Sequence, residues 1–158
     1  MTLLSWALLI PFWLLLAAVA IGDVRNLQIS NVMSGVVLAA AIVVLLFVRE
    51  DPGPWWQHVA SFAIMLAIGF GLFSVGWIGG GDAKFAAAAA VLFNLRELVW
   101  FVEVTALAGG VLALGLLALR RLPVERRGRW LGLSEDKSIP YGVAIAAGAI
   151  AVSALVAT

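Results

Sequence analysis

The chain is a succession of apolar runs divided by short polar stretches. Residues 3–22 form 20 positions without a charge, about 30 Å of helix, which matches the hydrocarbon thickness of a bilayer. Residues 32–48 form a second run, closed by Arg49-Glu50-Asp51-Pro52-Gly53-Pro54, where charges and helix breakers coincide. Residues 59–78 form a third, bracketed by Trp55, Trp56 and Trp77, as expected of indole rings anchored at both membrane interfaces. After Gly79-Gly80-Gly81-Asp82 come residues 83–95, only about 20 Å of helix, then Arg96-Glu97 and the longer run 98–119. Residues 139–157 form the last run, preceded by the polar stretch 120–138. The pattern predicts an all-α polytopic membrane protein: one domain over residues 1–158, a bundle of six transmembrane helices at 3–22, 32–48, 59–78, 83–95, 98–119 and 139–157.

Composition agrees. Of the 158 residues, 64% are hydrophobic and 12% charged, with a mean hydropathy of +1.10, against roughly 45–50% apolar and about 25% charged for a soluble domain. So few charges cannot solvate a water-soluble body of this size, which excludes soluble enzymes, nucleic-acid readers and disordered proteins. A net charge of +1 gives no global field to recruit nucleic acid. There is no cysteine, so disulfides, thiolate metal sites and cysteine nucleophiles are excluded, and the single histidine, His58, argues against a His-based zinc site. No metal and no cofactor are expected. Chemistry must come from carboxylates, hydroxyls, Lys, Arg or backbone.

Basic residues orient the bundle. Ala18-Val19-Ala20 is similar to a signal-peptidase site, but no basic residue precedes the apolar run, so the first helix is expected to be retained, with its N-terminus outside. If residues 83–95 cross, the connectors holding Arg25, Lys84 and 120–137 share one side, which carries 8 of the 10 Lys and Arg and is expected to be cytoplasmic; Arg49 and Arg96 lie opposite. If that segment turns back, the split is 7 to 3 and the aspartates lie outside. In either case Asp23 and Asp82 share a side, because two full crossings separate them.

Those two aspartates are the candidate chemistry. Each alone has a structural explanation: Asp23 marks the water interface at the end of a helix, and Asp82 can cap the helix that follows. Together they place two carboxylates at one depth on one face, where a shared proton allows activation of a water. The three glycines before Asp82 permit close backbone approach or positive φ, so a peptide can be admitted beside it. Lys84 can lower a nearby carboxylate pKa or bind substrate, and equally can snorkel to headgroups.

Asp23-Val24-Arg25 through Ile29-Ser30-Asn31, paired with a Gly-x-Gly-Asp motif at Gly79-Gly80-Gly81-Asp82 followed by Ala83-Lys84-Phe85, resembles the type IV prepilin peptidases, which are membrane aspartic proteases. Ile139-Pro140-Tyr141-Gly142-Val143-Ala144-Ile145-Ala146 is similar to that family's entry into its last helix. The likeness is closest to the short form serving Tad or Flp-type pili and covers nearly the whole chain. It implies an aspartic endopeptidase in the inner membrane, with Asp23 and Asp82 catalytic, Gly79, Gly81 and Lys84 in the active-site loop, and a membrane-anchored pilin precursor as substrate. Ser30 stands where the family often has Pro. The paired Cys-x-x-Cys insertion of the bifunctional forms is missing, so methyltransferase activity is not implied.

The remaining polar residues carry weaker expectations. Glu103 either lines a cavity or sits at the interface near Trp100. His58, beside Trp56, is expected at the interface. The stretch 120–138 is expected to lie on the membrane and attract anionic lipid, with substrate docking as a second role. Small residues four apart at Ala67/Gly71, Ala106/Gly110 and Ala144/Gly148 would let helices approach closely. A small ion-coupled transporter and a non-catalytic assembly subunit are the alternative functions; the first would hold its acids nearer the midplane, often with a repeat, and the second would tolerate their loss.

Overall fold

The computed structural model describes residues 3–49, 53–120 and 140–157. Among them are six helices and no strand: α1 (Leu3–Asn26), α2 (Asn31–Val48), α3 (Trp55–Ser74), α4 (Gly80–Ala90), α5 (Leu95–Arg120) and α6 (Tyr141–Ala157). Four of them, α1, α2, α3 and α5, are long and apolar enough to cross a membrane; α6 is a shorter apolar helix. Most of the stretch expected to lie on the membrane surface falls outside the described residues.

Local chemistry explains where helix boundaries depart from the apolar runs. α1 continues past Gly22 through Asn26, so Asp23 belongs to its last turn, and the helix ends where Leu27 adopts φ 51° while its N–H still bonds Asp23 O at 2.7 Å. Ser30 caps α2, its Oγ accepting from Met33 N–H at 3.2 Å, which gives a defined turn at the position where Pro is frequent in the resembling family. α3 starts at Trp55 behind Pro54, four residues before the uncharged run. It stops at Ser74 because Gly76, at φ 76°, bonds Phe73 O while Trp77 N–H bonds Leu72 O, the paired closure of a left-handed helix terminus.

α4 corrects the expected fourth span. It holds 11 residues, about 16 Å of helix against a hydrocarbon thickness of about 30 Å. It is the innermost element, packed by α2, α3 and α6, with Phe85 and Ala86–Ala90 all buried. Alanines on every side let three helices close on it. Gly69 of α3 meets Ala83 so closely that a Cβ there would lie 2.8 Å from the Ala83 Cβ.

The connector at residues 91–94 meets the far ends of α2 and α3. Arg49, just past α2, holds Glu97 through two hydrogen bonds of 3.0 and 2.6 Å, both side chains largely buried. Gln57 Oε1 accepts from Leu95 N–H, and the buried His58 donates from Nδ1 to Val91 O at 2.9 Å. Asn94 and Glu97 form a reciprocal cap at the start of α5: Asn94 Oδ1 accepts from Arg96 and Glu97 N–H, and Glu97 Oε2 accepts from Asn94 N–H. Arg96-Glu97, expected as a break between spans, is therefore the first turn of α5. Because Arg49 ends α2 at the opposite pole from Asn31, the segment from α4 into α5 runs from one end of the bundle to the other and does not turn back.

In two of the three small-residue pairs the glycine packs on nothing among the described residues, since nothing lies within 4 Å of a Cβ built at Gly71 or Gly110. The third pair is used, with Ala144 against Gly109 and Gly148 against Thr105, and it joins α5 to α6. α6 then lies antiparallel on α1, where Trp13 Nε1–H donates to Ser153 Oγ at 2.8 Å.

The Arg49–Glu97 pair generates a prediction. Arg49→Ala leaves a buried carboxylate unpaired, which costs about 3–5 kcal/mol. A marked fall in the thermal unfolding midpoint of the detergent-solubilised protein is expected, and an unchanged midpoint would show that the pair does not hold the connector.

Candidate active site

Asp23 lies on the inward stripe of α1. Leu9, Phe12, Leu16, Val19 and Asp23 are all buried and fall three or four residues apart, so helical spacing that buries the first four also carries the carboxylate inward. Its Oδ2 accepts from Gly142 N–H at the start of α6, at 2.9 Å. Asp82 lies in the first turn of α4. Gly79 is the residue flanking that helix, so Asp82 sits three positions inside and reaches back, Oδ2 accepting from Gly79 N–H at 3.1 Å. The cap expected at Asp82 itself is thus shifted to Gly79. Asp82 Oδ1 is buried with no hydrogen-bond partner.

The two aspartates open onto one cleft of about 220 Å³, walled by residues 27–29 on one side and 79–82 on the other. Both carboxyls are buried, so ionising the two together in one cleft is disfavoured by desolvation and by like charge. Leu27, on the rim, is the one non-glycine residue at positive φ among the described residues, a conformation that costs on the order of 1–3 kcal/mol and gathers at functional sites.

The glycine run acts through contact and not through positive φ. Gly81 packs on the backbone of Ile29, where a Cβ would lie 2.6 Å from the carbonyl oxygen and 3.2 Å from the nitrogen. That contact presses the first turn of α4 onto the linker that follows Asp23. Gly80 is different, since a Cβ there meets only the Phe73 ring edge at 3.5 Å, ordinary van der Waals distance. Gly79 and Gly81 line the cleft. Lys84 does not: its Nζ donates to Asn31 Oδ1 at 2.8 Å, tying α4 to α2, and it is exposed. Glu103 is exposed on α5 and lies outside the cleft. Among the described residues no group of three or more His, Asp or Glu is placed to hold a metal ion.

The sequence model of the type IV leader peptidase family matches residues 8–114, a span that contains both aspartates and the glycine run. The chain belongs to the type IV leader peptidase family. No curated protein and no solved structure matches it. The family makes the chain a leader peptidase-type protease, and its long apolar helices make it a membrane protein. Gly142 is the site residue that sequence reading did not single out. It stands in the quoted Pro140-Tyr141-Gly142 entry, but its partner lies 119 residues away, beyond any local pattern.

The contrast between neighbouring glycines is testable. Gly81→Val is expected to lower the cleavage rate on the order of 100-fold, the scale for a displacement of about 1 Å in a catalytic group, whereas Gly80→Ala stays near wild type. Rates are compared at matched membrane levels, and equal rates for the two variants would remove the Ile29 contact from the account of the site.

Proposed function

We propose that the protein is an intramembrane aspartic endopeptidase that removes the leader peptide from type IV, Flp-like prepilins at the cytoplasmic face of the inner membrane. The observation that carries this reading is the meeting of Asp23 and Asp82 in one cleft of a leader peptidase family member. One carboxylate is ionised and takes a proton from water as the water oxygen attacks the scissile carbonyl carbon. The other, protonated, passes its proton to the carbonyl oxygen, giving a tetrahedral diol. On collapse the C–N bond breaks, the leaving nitrogen takes the proton held by the first aspartate, and the second recovers one from a diol hydroxyl. The pair ends as it began, with one proton between two carboxyls. No methyl transfer is assigned, because the chain has no cysteine to build the paired Cys-x-x-Cys insertion.

Six membrane crossings and a cytoplasmic cleft complete the proposal. Several features support them. α4 runs from the aspartate end toward the Arg49 end, where Glu97 opens α5; α5 returns antiparallel to α6, and α6 lies antiparallel to α1, so successive helices alternate in direction. Arg49, one of the two basic residues counted against a cytoplasmic cleft, is neutralised by Glu97. Trp55 and Trp77 are exposed at opposite ends of the α3 region, as interface anchors would be. The precursor's own apolar helix would lie in the bilayer beside the bundle, its cleavage site level with the aspartates. A transporter's acids would lie nearer the midplane, and here both sit at helix ends.

Two measurements test this reading. Asp23→Asn and Asp82→Asn are each expected to abolish leader removal from coexpressed pilin precursors while the protein still accumulates in the membrane, because an amide cannot exchange the shared proton; substantial processing by either variant would refute the pair. Reporter fusions after Arg25, Lys84 and Arg127 are expected to score cytoplasmic, and fusions after Asp51 or at the C-terminus periplasmic. A periplasmic signal at Arg127 with a cytoplasmic C-terminus would mean that the short fourth segment does not cross.

A further inference from the structure

Asp23 and Asp82 occupy opposite electrostatic positions. Asp82 lies in the first turn of α4, where unpaired N–H groups and the positive end of the helix dipole favour a carboxylate. Asp23 lies in the last turn of α1, where unpaired carbonyls face it and a carboxylate is disfavoured. What offsets this is the start of another helix. Gly142, the second residue of α6, donates its N–H to Asp23 Oδ2, and both residues are buried. That N–H has no acceptor within its own helix, being one of the first four of α6.

The approach is close enough to dictate the residue type. A Cβ on Gly142 would lie 2.8 Å from Asp23 Oδ2 and 3.1 Å from Asp23 Cβ, so any side chain would drive the carboxylate from its place. α6 has little freedom to withdraw. Its next turns are fixed to α5 where Gly148 sits against Thr105 and Ala144 against Gly109, and to α1 through Ser153 and Trp13.

We infer that Gly142 is a positioning residue for peptide cleavage: the bare start of α6 fixes the Asp23 carboxylate opposite Asp82. The kinetic consequence rests on the peptidase reading above, whereas the docking stands on geometry alone. α6 then backs the Asp23 side of the active site without lining the cleft, although it lies outside the segment matched by the family.

The experiment has two arms. The chain contains no cysteine, so the double variant Asp23→Cys, Gly142→Cys carries the only thiols. After oxidation in membranes, denaturation and treatment with polyethylene glycol maleimide, docking predicts no modified thiol until a reductant is added. The β-carbon separation of 3.1 Å lies a few tenths of an ångström inside the usual disulfide range of about 3.5–4.5 Å. Two reactive thiols after oxidation overturn the docking. In the second arm, kcat and KM of Gly142→Ala and Gly110→Ala are measured on a Flp-type pilin precursor. Gly142→Ala is expected to lower kcat on the order of 100-fold with KM within about twofold and an unchanged unfolding midpoint. Gly110→Ala, in open space, is expected to match wild type. A wild-type kcat for Gly142→Ala, or a loss confined to KM or to the unfolding midpoint, overturns the inference. A wild-type chain that cuts no precursor counts against the peptidase reading instead, and the thiol count still decides the docking.

Discussion

A helix of 11 residues falls well short of bilayer thickness, and the bundle is arranged around that shortfall in α4. α4 is enclosed by protein, so the backbone groups at its ends need protein partners. At one end His58 takes Val91 O, Gln57 takes Leu95 N–H, and Asn94 with Glu97 closes the start of α5, itself held by Arg49. At the other end Asp82 takes Gly79 N–H. Among the described residues, the buried Asp82, Glu97 and His58 thus gather at the two ends of the most buried helix. Asp82 Oδ1 is left without a hydrogen-bond partner, and its end opens on the cleft.

The same constraint accounts for the chemistry on offer. A buried carboxyl with an unpartnered oxygen is costly if ionised, and the cost is removed by a proton or by a water and a substrate that share it. Asp82 meets that condition through burial and its unpartnered Oδ1, while Asp23 receives a donor from a different helix. Two like charges in one cleft cannot both ionise easily, so the pair shares one proton, and unlike surroundings bias which carboxyl keeps it.

Much of this was legible in the sequence because lipid imposes long apolar runs: all six segments, the connectors and the shared side of Asp23 and Asp82 follow from run lengths alone. Boundaries were less legible. A charge does not end a helix at the interface, so α1 runs on through Arg25, and a proline can start one inside a polar stretch, as Pro54 does for α3. The Asn94-Leu95-Arg96-Glu97 cap was present in the sequence as a reciprocal pair three apart, yet two charges between apolar runs read as a break. The burial of His58 against Val91 O was not legible, because that partner is a backbone group that composition does not reveal. Pairings at long separation, Arg49 with Glu97 and Asp23 with Gly142, have no local signal at all, and they are what turn two acids into a site.

Glycine in this fold serves contact more than flexibility. Positions 69, 81, 142 and 148 each lie where a Cβ would meet another element closer than real Cβ atoms come: Ala83, the Ile29 carbonyl, the Asp23 carboxylate and Thr105. Between lipid-embedded helices there is little hydrophobic gain from burial, so close backbone packing is what holds them together. Two of these four contacts involve the residues that carry or flank the aspartates directly, and a third abuts Ala83, the neighbour of Asp82. The spacing of the carboxyls is thus set by backbone meeting backbone, with few flexible side chains between to absorb error. Such a site resists thermal drift, yet a single added methyl group reaches it, because no intervening rotamer can move aside in place of the acid.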